Sequence, residues 1–185
     1  PCLSWEIISH QRNIIQKAYQ VIVSTSPEKL AANDGDLWNS GRIESDQSVH
    51  IKYRGTPLKS RMKCFWKVKV WSENGESEWS RSAYWSMGLL YYNDWKGRWI
   101  GLDRSFPWDS ETRFSRLSAR YFRKEFEAGQ KEIKDATIYI IGLGLYELYI
   151  NGEKIGNQVL APAPTDYTKS VLYNTFDVTK HIRDG

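Results

Sequence analysis

The chain has 185 residues, 41% hydrophobic, 26% charged and 14% aromatic, enough apolar material to bury one moderate core or two small ones. Lys and Arg exceed Asp and Glu by only 26 to 22, and the basic residues are scattered singly, which argues against a nucleic-acid-binding arm. No stretch approaches the roughly 18 consecutive apolar residues of a membrane helix, and two cysteines exclude a disulfide-dense scaffold and a structural zinc site.

The first elements in chain order have period two. Leu3-Ser4-Trp5-Glu6-Ile7 alternates, Ala18 to Val23 is β-branched and aromatic, and Val49 to Tyr53 is short and mixed. The clearest strand is Met62 to Trp71: Cys64, Trp66, Val68 and Val70 share an inward face, while Phe65, Lys67, Lys69 and Trp71 form the outer side of an antiparallel sheet. Tyr84-Trp85-Ser86 closes this part, and turns fall at Asn33-Asp34-Gly35, Ser40-Gly41, Gly55-Thr56-Pro57 and Glu73-Asn74-Gly75. Strands at this spacing predict an antiparallel sandwich of roughly 90 residues.

After Gly88 the composition changes, and a domain boundary is expected near Leu90, giving units 1–90 and 91–185. Strands are predicted at Tyr121 to Phe126, Ala136 to Ile141, Leu145 to Ile150 and Val171 to Phe176. Asn151-Gly152 predicts a two-residue hairpin, because a type I′ turn needs positive φ at both central positions. Helical signal is nearly absent; Asp177 to Ile182 reads as one turn capped by Asp177 or Thr179.

The run Gly142-Leu-Gly-Leu-Tyr-Glu-Leu-Tyr-Ile-Asn-Gly152-Glu-Lys-Ile-Gly156, followed by Leu160-Ala-Pro162, Thr165-Asp-Tyr167 and Leu172 to Thr179, closely resembles the N-terminal β-domain of bacterial α-L-rhamnosidases. The earlier part, with Leu3-Ser-Trp5, Ala18-Tyr-Gln-Val21, Trp38-Asn-Ser-Gly41, Phe65 to Trp71 and Asp94-Trp95 before Trp99-Ile100, resembles the fibronectin-III-like domain that leads those proteins. The resemblance implies an all-β chain: a fibronectin-III-like β-sandwich, then the first part of a jelly-roll-like β-domain. It also implies that a catalytic (α/α)₆ barrel lies further along a parent chain that removes terminal L-rhamnose with inversion, in a secreted or periplasmic bacterial setting. In one place the sequence departs from the family, reading Pro162-Ala-Pro-Thr-Asp-Tyr167 where a Pro-Gly-Trp-Thr-Asp-Tyr motif is usual.

Inverting hydrolysis needs a raised-pKa acid and a carboxylate base set roughly 6.5–9.5 Å apart. The couples on offer, Asp34 with Asp36, Asp109 with Glu111 and Asp166 with Asp177, lie in turn-like loops without a signature for that chemistry, so catalytic residues are expected elsewhere. Asn33-Asp-Gly-Asp36 lacks the alternating ligands of a calcium loop, and no cofactor is expected, with calcium left open. Among the nine tryptophans, Trp5 and Trp66 read as core and Trp95 and Trp99 as junction residues, whereas Trp71 and Trp79 read as exposed. Trp108, in a polar loop, is the best candidate for a sugar contact, with Trp71, Asp166 and Tyr167 as further carbohydrate-binding candidates. Partners expected on this reading are rhamnose-containing glycans or glycosides, the downstream barrel and, through unpaired strand edges of residues 92–185, a second copy. A free-standing carbohydrate-binding module and a fibronectin-type adhesion or spacer module are the alternatives.

Overall fold

The structure, a computed structural model, describes residues 1–102, 104, 106–109, 118–129 and 132–183. The chain divides into two compact units, Pro1–Arg98 and Trp99–Gly185.

The first unit contains β1 (Cys2–Leu3), β2 (Gln16–Ser24), α1 (Pro27–Ala31), β3 (Trp38–Asn39), β4 (Ile43–Glu44), β5 (Ile51–Lys52), β6 (Lys63–Ser72), β7 (Gly75–Glu76) and β8 (Ala83–Ser86). All described pairings are antiparallel: β1 with β5 in one small sheet, and β3-β2-β6-β7 in a larger one, to which β4 adds on β2 and β8 on β6. Leu3 and Ile51 of the small sheet bury into one cluster with Tyr19, Val21, Val23, Cys64 and Val68 of the large one, which makes the unit a sandwich. Trp5, Trp66 and Val70 pack against that cluster, as their strand parity predicts.

The outer face of β6 differs from expectation. Lys67 is buried, because Trp79 folds over it with the ammonium 5.0 Å from the ring centroid and that of Lys69 at 5.3 Å. The loop carrying Trp79 is tied to β6 by hydroxyls, since Ser77 and Ser80 accept from the backbone N–H groups of Val70 and Val68. Trp79 is therefore half-buried rather than exposed. Burial, and then the neighbouring Lys69, pushes the Lys67 pKa down.

The short helix α1 also lies outside the sequence reading. Ser26 accepts from the N–H of Lys29, Pro27 sits at the first turn, and Leu30 is buried as α1 packs against β2 and β6. That cover explains why Ile22 and Ser24 are as buried as Val21 and Val23.

In the second unit, β9 (Thr137–Ile141) pairs with β12 (Tyr173–Asp177), and β10 (Tyr149–Ile150) pairs with β11 (Glu153–Lys154) across the expected turn. Asn151 and Gly152 have φ of 51° and 84°, the two positive values of a type I′ turn. Ile150, Ile155 and Val178 form a small core, with Ile138, Leu148 and Phe176 packed against it. Two strand expectations change here. Tyr121 to Phe126 is irregular and exposed, with Tyr121 98% accessible, and of Leu145 to Ile150 only the last two residues pair. The terminal turn forms at Thr179–His181, with Val178 at the cap position; Asp177 accepts from the N–H and hydroxyl of Thr179. Among the described residues no helix is long and apolar enough to cross a membrane.

Candidate functional site

Among the described residues of the second unit, the carboxylate with the most hydrogen-bond donors is that of Asp109. A turn brings the Asp109 N–H to the carbonyl of Phe106 at 2.8 Å, and the carboxylate receives four groups. The N–H and hydroxyl of Ser118 reach Oδ1 at 2.7 and 2.6 Å, while the Phe106 N–H and Arg120 Nη2 reach Oδ2 at 2.8 and 2.9 Å. The Asp109 side chain is wholly inaccessible. Ser118, then Arg120 and the Phe106 amide, hold its carboxyl far below the usual carboxylate range. A group so held is a permanent anion and an anchor, the opposite of a general acid.

Arg120 extends the construction. Its Nη1 donates to the carbonyl and hydroxyl of Ser118, and its Nη2 also donates to the carbonyl of Arg104. The guanidinium carbon lies 4.8 Å from the Phe106 ring centroid, and that of Arg104 lies 5.5 Å from it. Trp108 stacks on Phe106 with centroids 5.0 Å apart and planes 6° from parallel, and its indole N–H donates to Ser118 Oγ at 3.0 Å. Trp108 nevertheless remains 71% exposed.

The other candidates are placed elsewhere. Tyr167 stands 42% exposed, and its hydroxyl accepts from the N–H of Gly144 at 2.9 Å, tying its loop to the Gly142–Gly144 bend. Asp166 accepts from the N–H and hydroxyl of Thr168 at 3.1 and 2.6 Å and meets Lys169 Nζ at 3.1 Å. Those bonds, the Thr168 hydroxyl first, lower its pKa and close a local turn. Trp71 belongs to the first unit, half-buried beneath Arg42, whose guanidinium carbon is 5.0 Å from the ring. Trp71 and Trp108 thus sit in separate units.

Of the remaining carboxylates, Asp36 is held by Lys29 and Thr25, and Asp177 by Thr179, while Glu111 lies outside the described residues. Cys2 is exposed and Cys64 buried, both unbridged. His181 sits 3.0 Å from the Glu153 carboxylate, a contact its sequence neighbours do not signal. Among the described residues no group of three or more His, Cys, Asp or Glu is arranged to hold a metal ion. The sequence offers Trp108 as a candidate and places Asp109 in a turn-like loop; no recognised spacing links Ser118 and Arg120 to Asp109.

Two successive antiparallel β-units, the first a sandwich of immunoglobulin type, define the class of the chain. Residues 1–91 match the family described as "Rha78A-like, N-terminal immunoglobulin domain", and residues 131–185 match "Alpha-L-rhamnosidase N-terminal domain". An α-L-rhamnosidase of Formosa agariphila is 38% identical over 201 residues, covering 100% of this chain and 21% of that protein. One from Alteromonas sp. is 37% identical over 185 residues, covering 98% of this chain and 20% of that protein. Among solved structures, the α-L-rhamnosidase from Dictyoglumus thermophilum superposes with a TM-score of 0.86 at 43% identity, covering 98% of this chain and 21% of that one. The native Aspergillus terreus enzyme gives a TM-score of 0.73 at 28% identity, covering 100% of this chain and 20% of that one. The chain belongs to the α-L-rhamnosidase family, as its N-terminal region. It spans about a fifth of the length of the relatives it matches.

Proposed function

We propose that this chain is the non-catalytic N-terminal part of a longer α-L-rhamnosidase that removes terminal L-rhamnose from glycosides with inversion, and that it supports the catalytic domain and helps hold the substrate. The observation that carries this reading is the match of both ends of the chain to the leading domains of rhamnosidases about five times its length. The state of the carboxylates supports it. Asp36, Asp109 and Asp166 are each hydrogen-bonded into the ionised form, whereas an inverting pair needs one carboxyl kept protonated. Purified chain incubated with an aryl α-L-rhamnoside should release no phenol; steady turnover that co-purifies with the chain overturns the reading.

In this reading the sandwich occupies residues 1–90 and the rhamnosidase β-domain begins at residue 91. The second unit associates with another copy through its two-stranded sheets, each of whose strands has one unpaired edge among the described residues. Exposed Tyr121, Phe122 and Phe126 add apolar surface to that unit. Sedimentation of the pure chain should show a concentration-dependent dimer; a monodisperse monomer at all concentrations refutes this part.

A further inference from the structure

We infer that the outer face of the large sheet in the first unit binds the acid group of an acidic glycan, with the Lys67 ammonium as the anion-binding centre and the amides of Gln20 and Asn39 beside it. The inference goes beyond the reading above, since it concerns the first unit and a ligand charge that the reading leaves open.

The argument begins with an ammonium that has no counter-ion. Lys67 is only 8% exposed, yet among the described residues it makes no hydrogen bond and no ion pair; its ammonium meets only the Trp79 ring, at 5.0 Å. A lysine buried to this degree is ordinarily paired. The stem is what is covered, whereas Nζ is not one of the sealed, unpartnered atoms, so an incoming anion can reach it. Lys69, the next residue on the same face, lies 5.3 Å from the same ring and is already matched with Glu76 at 3.5 Å. Arg42, over Trp71, is matched with Glu44 at 2.9 Å. Among the described residues, then, Lys67 is the cation of this group that lacks a carboxylate. Burial, and then Lys69, pushes its pKa down, and an anion at Nζ relieves both effects.

The neighbours of Lys67 set the rest of the ligand chemistry. Strand register places Gln20 opposite Lys69, and Ile22 opposite both Lys67 and Asn39, so the two amides share a face with the ammonium. Gln20 Nε2 donates to Asn39 Oδ1 at 2.9 Å, and the Gly41 N–H donates to the same oxygen at 3.0 Å. Among the described residues that leaves Gln20 Oε1 and the Asn39 amide N–H groups open, an acceptor and donors for hydroxyls. One acid group flanked by hydroxyls is the chemistry of a uronic acid or a sulfated sugar. A nucleic acid or an anionic bilayer presents a dense array of charge, a poor match for one uncompensated cation between two ion pairs. The choice of a glycan over an acidic peptide rests on the glycoside substrate proposed above.

The test uses the 185-residue chain at fixed ionic strength and follows acetylation of Lys67 by peptide mass spectrometry. Digalacturonic acid is the acidic probe and galactobiose its neutral counterpart. The expected result is saturable protection of Lys67 by millimolar digalacturonate and none by galactobiose. Calorimetry should find digalacturonate binding weakened about tenfold in Lys67→Met, equivalent to about 1.4 kcal/mol. Binding should be unchanged in Lys180→Met, which removes a positive charge from the second unit. Lys67→Met keeps the covered stem and removes a desolvated charge, so it should fold with undiminished Tm; protection of the unmodified chain tests the site independently of that variant. No protection, equal protection by galactobiose, or binding undiminished in Lys67→Met overturns the inference. Protection by a thymidine oligonucleotide or a glutamate tripeptide at lower concentration than digalacturonate overturns the assignment to a glycan. Family membership and the absence of turnover are judged separately, by the aryl rhamnoside assay.

Discussion

Gln16 offers the sharpest test of how the sandwich is held together. It is a polar residue only 3% exposed, set where β2 shifts register against β6. Its amide uses both ends: Oε1 accepts from the indole N–H of Trp5 at 2.9 Å, and Nε2 donates to the carbonyls of Ser45 and Gln47 at 3.0 and 2.9 Å. One side chain thus links the N-terminal segment, β2 and the loop after β4. Gln16→Met keeps length and removes all three bonds. At about 1 kcal/mol net for each, the loss is about 3 kcal/mol, because the three partners are left at least partly shielded from water. For a unit of this size that lowers Tm by roughly 12–24 °C, taking roughly 4–8 °C per kcal/mol. Gln16→Glu adds a second signature. It replaces the donor by a carboxylate oxygen facing two carbonyls, so the folded state raises the carboxyl's pKa above the unfolded value of about 4.3. The native state then binds the extra proton, and relative to the unmodified chain this variant should gain stability as pH falls through the raised value and lose it as pH rises. Thermal and urea unfolding followed by tryptophan fluorescence measure both effects. A loss below about 1 kcal/mol for Gln16→Met, or no pH dependence for Gln16→Glu, refutes the assigned role.

Three further outcomes are expected. Gly152→Ala should destabilise the β10–β11 hairpin by about 1 kcal/mol; φ is 84° and no atom crowds the site, so amide exchange at Ile150 and Glu153 should quicken without wider change. At Asp36 burial opposes ionisation, but hydrogen bonds from Lys29 and Thr25 prevail and lower its pKa. Its contribution is therefore present above the unfolded value of about 3.9 and lost as pH falls through the folded one, so the stability gap between the unmodified chain and Asp36→Asn should close in acid urea titrations. Trp79→Ala should cost about 2 kcal/mol, less than a full core truncation since the ring is half-buried, and a reactivity assay should find the uncovered Lys67 modified faster.

The two long central strands were readable because their residues satisfy local and global demands together. Val21, Val23, Cys64 and Val68 have strand propensity and also alternate into a shared core. Asn151-Gly152 was readable for the same reason, as backbone conformation alone dictates the turn. The helix α1 is not legible as an element although Ser26-Pro27-Glu28 is a legible start: five residues leave no apolar period, and the helix depends on packing of Leu30 onto the sheet in addition to its Ser26 cap. Tyr121 to Phe126 shows the opposite failure, since aromatic and alternating residues favour a strand, but strand formation needs a neighbour, and none of the described strands pairs there.

The candidate site divides along the same line. A tryptophan or tyrosine in a polar loop announces itself by its residue type, which is what makes Trp108 and Tyr167 candidates in the sequence. Around Trp108 the structure adds contacts between residues far apart in sequence and without any period: a serine hydroxyl that donates to one carboxylate while accepting from an indole and a guanidinium, and a phenyl ring that meets both an arginine and the indole. Each partner alone is an ordinary loop residue, and the bonds that make Asp109 an anchor come from Phe106, Ser118 and Arg120 together. Asp166 shows how the same residue type yields nothing when its bonds stay within three residues, for there the carboxylate organises only its own turn. The difference between the two aspartates is the sequence distance their bonds cross. Bonds that reach from residue 109 to residues 118 and 120 cross nine and eleven positions, and no local pattern of residue types announces contacts at that distance.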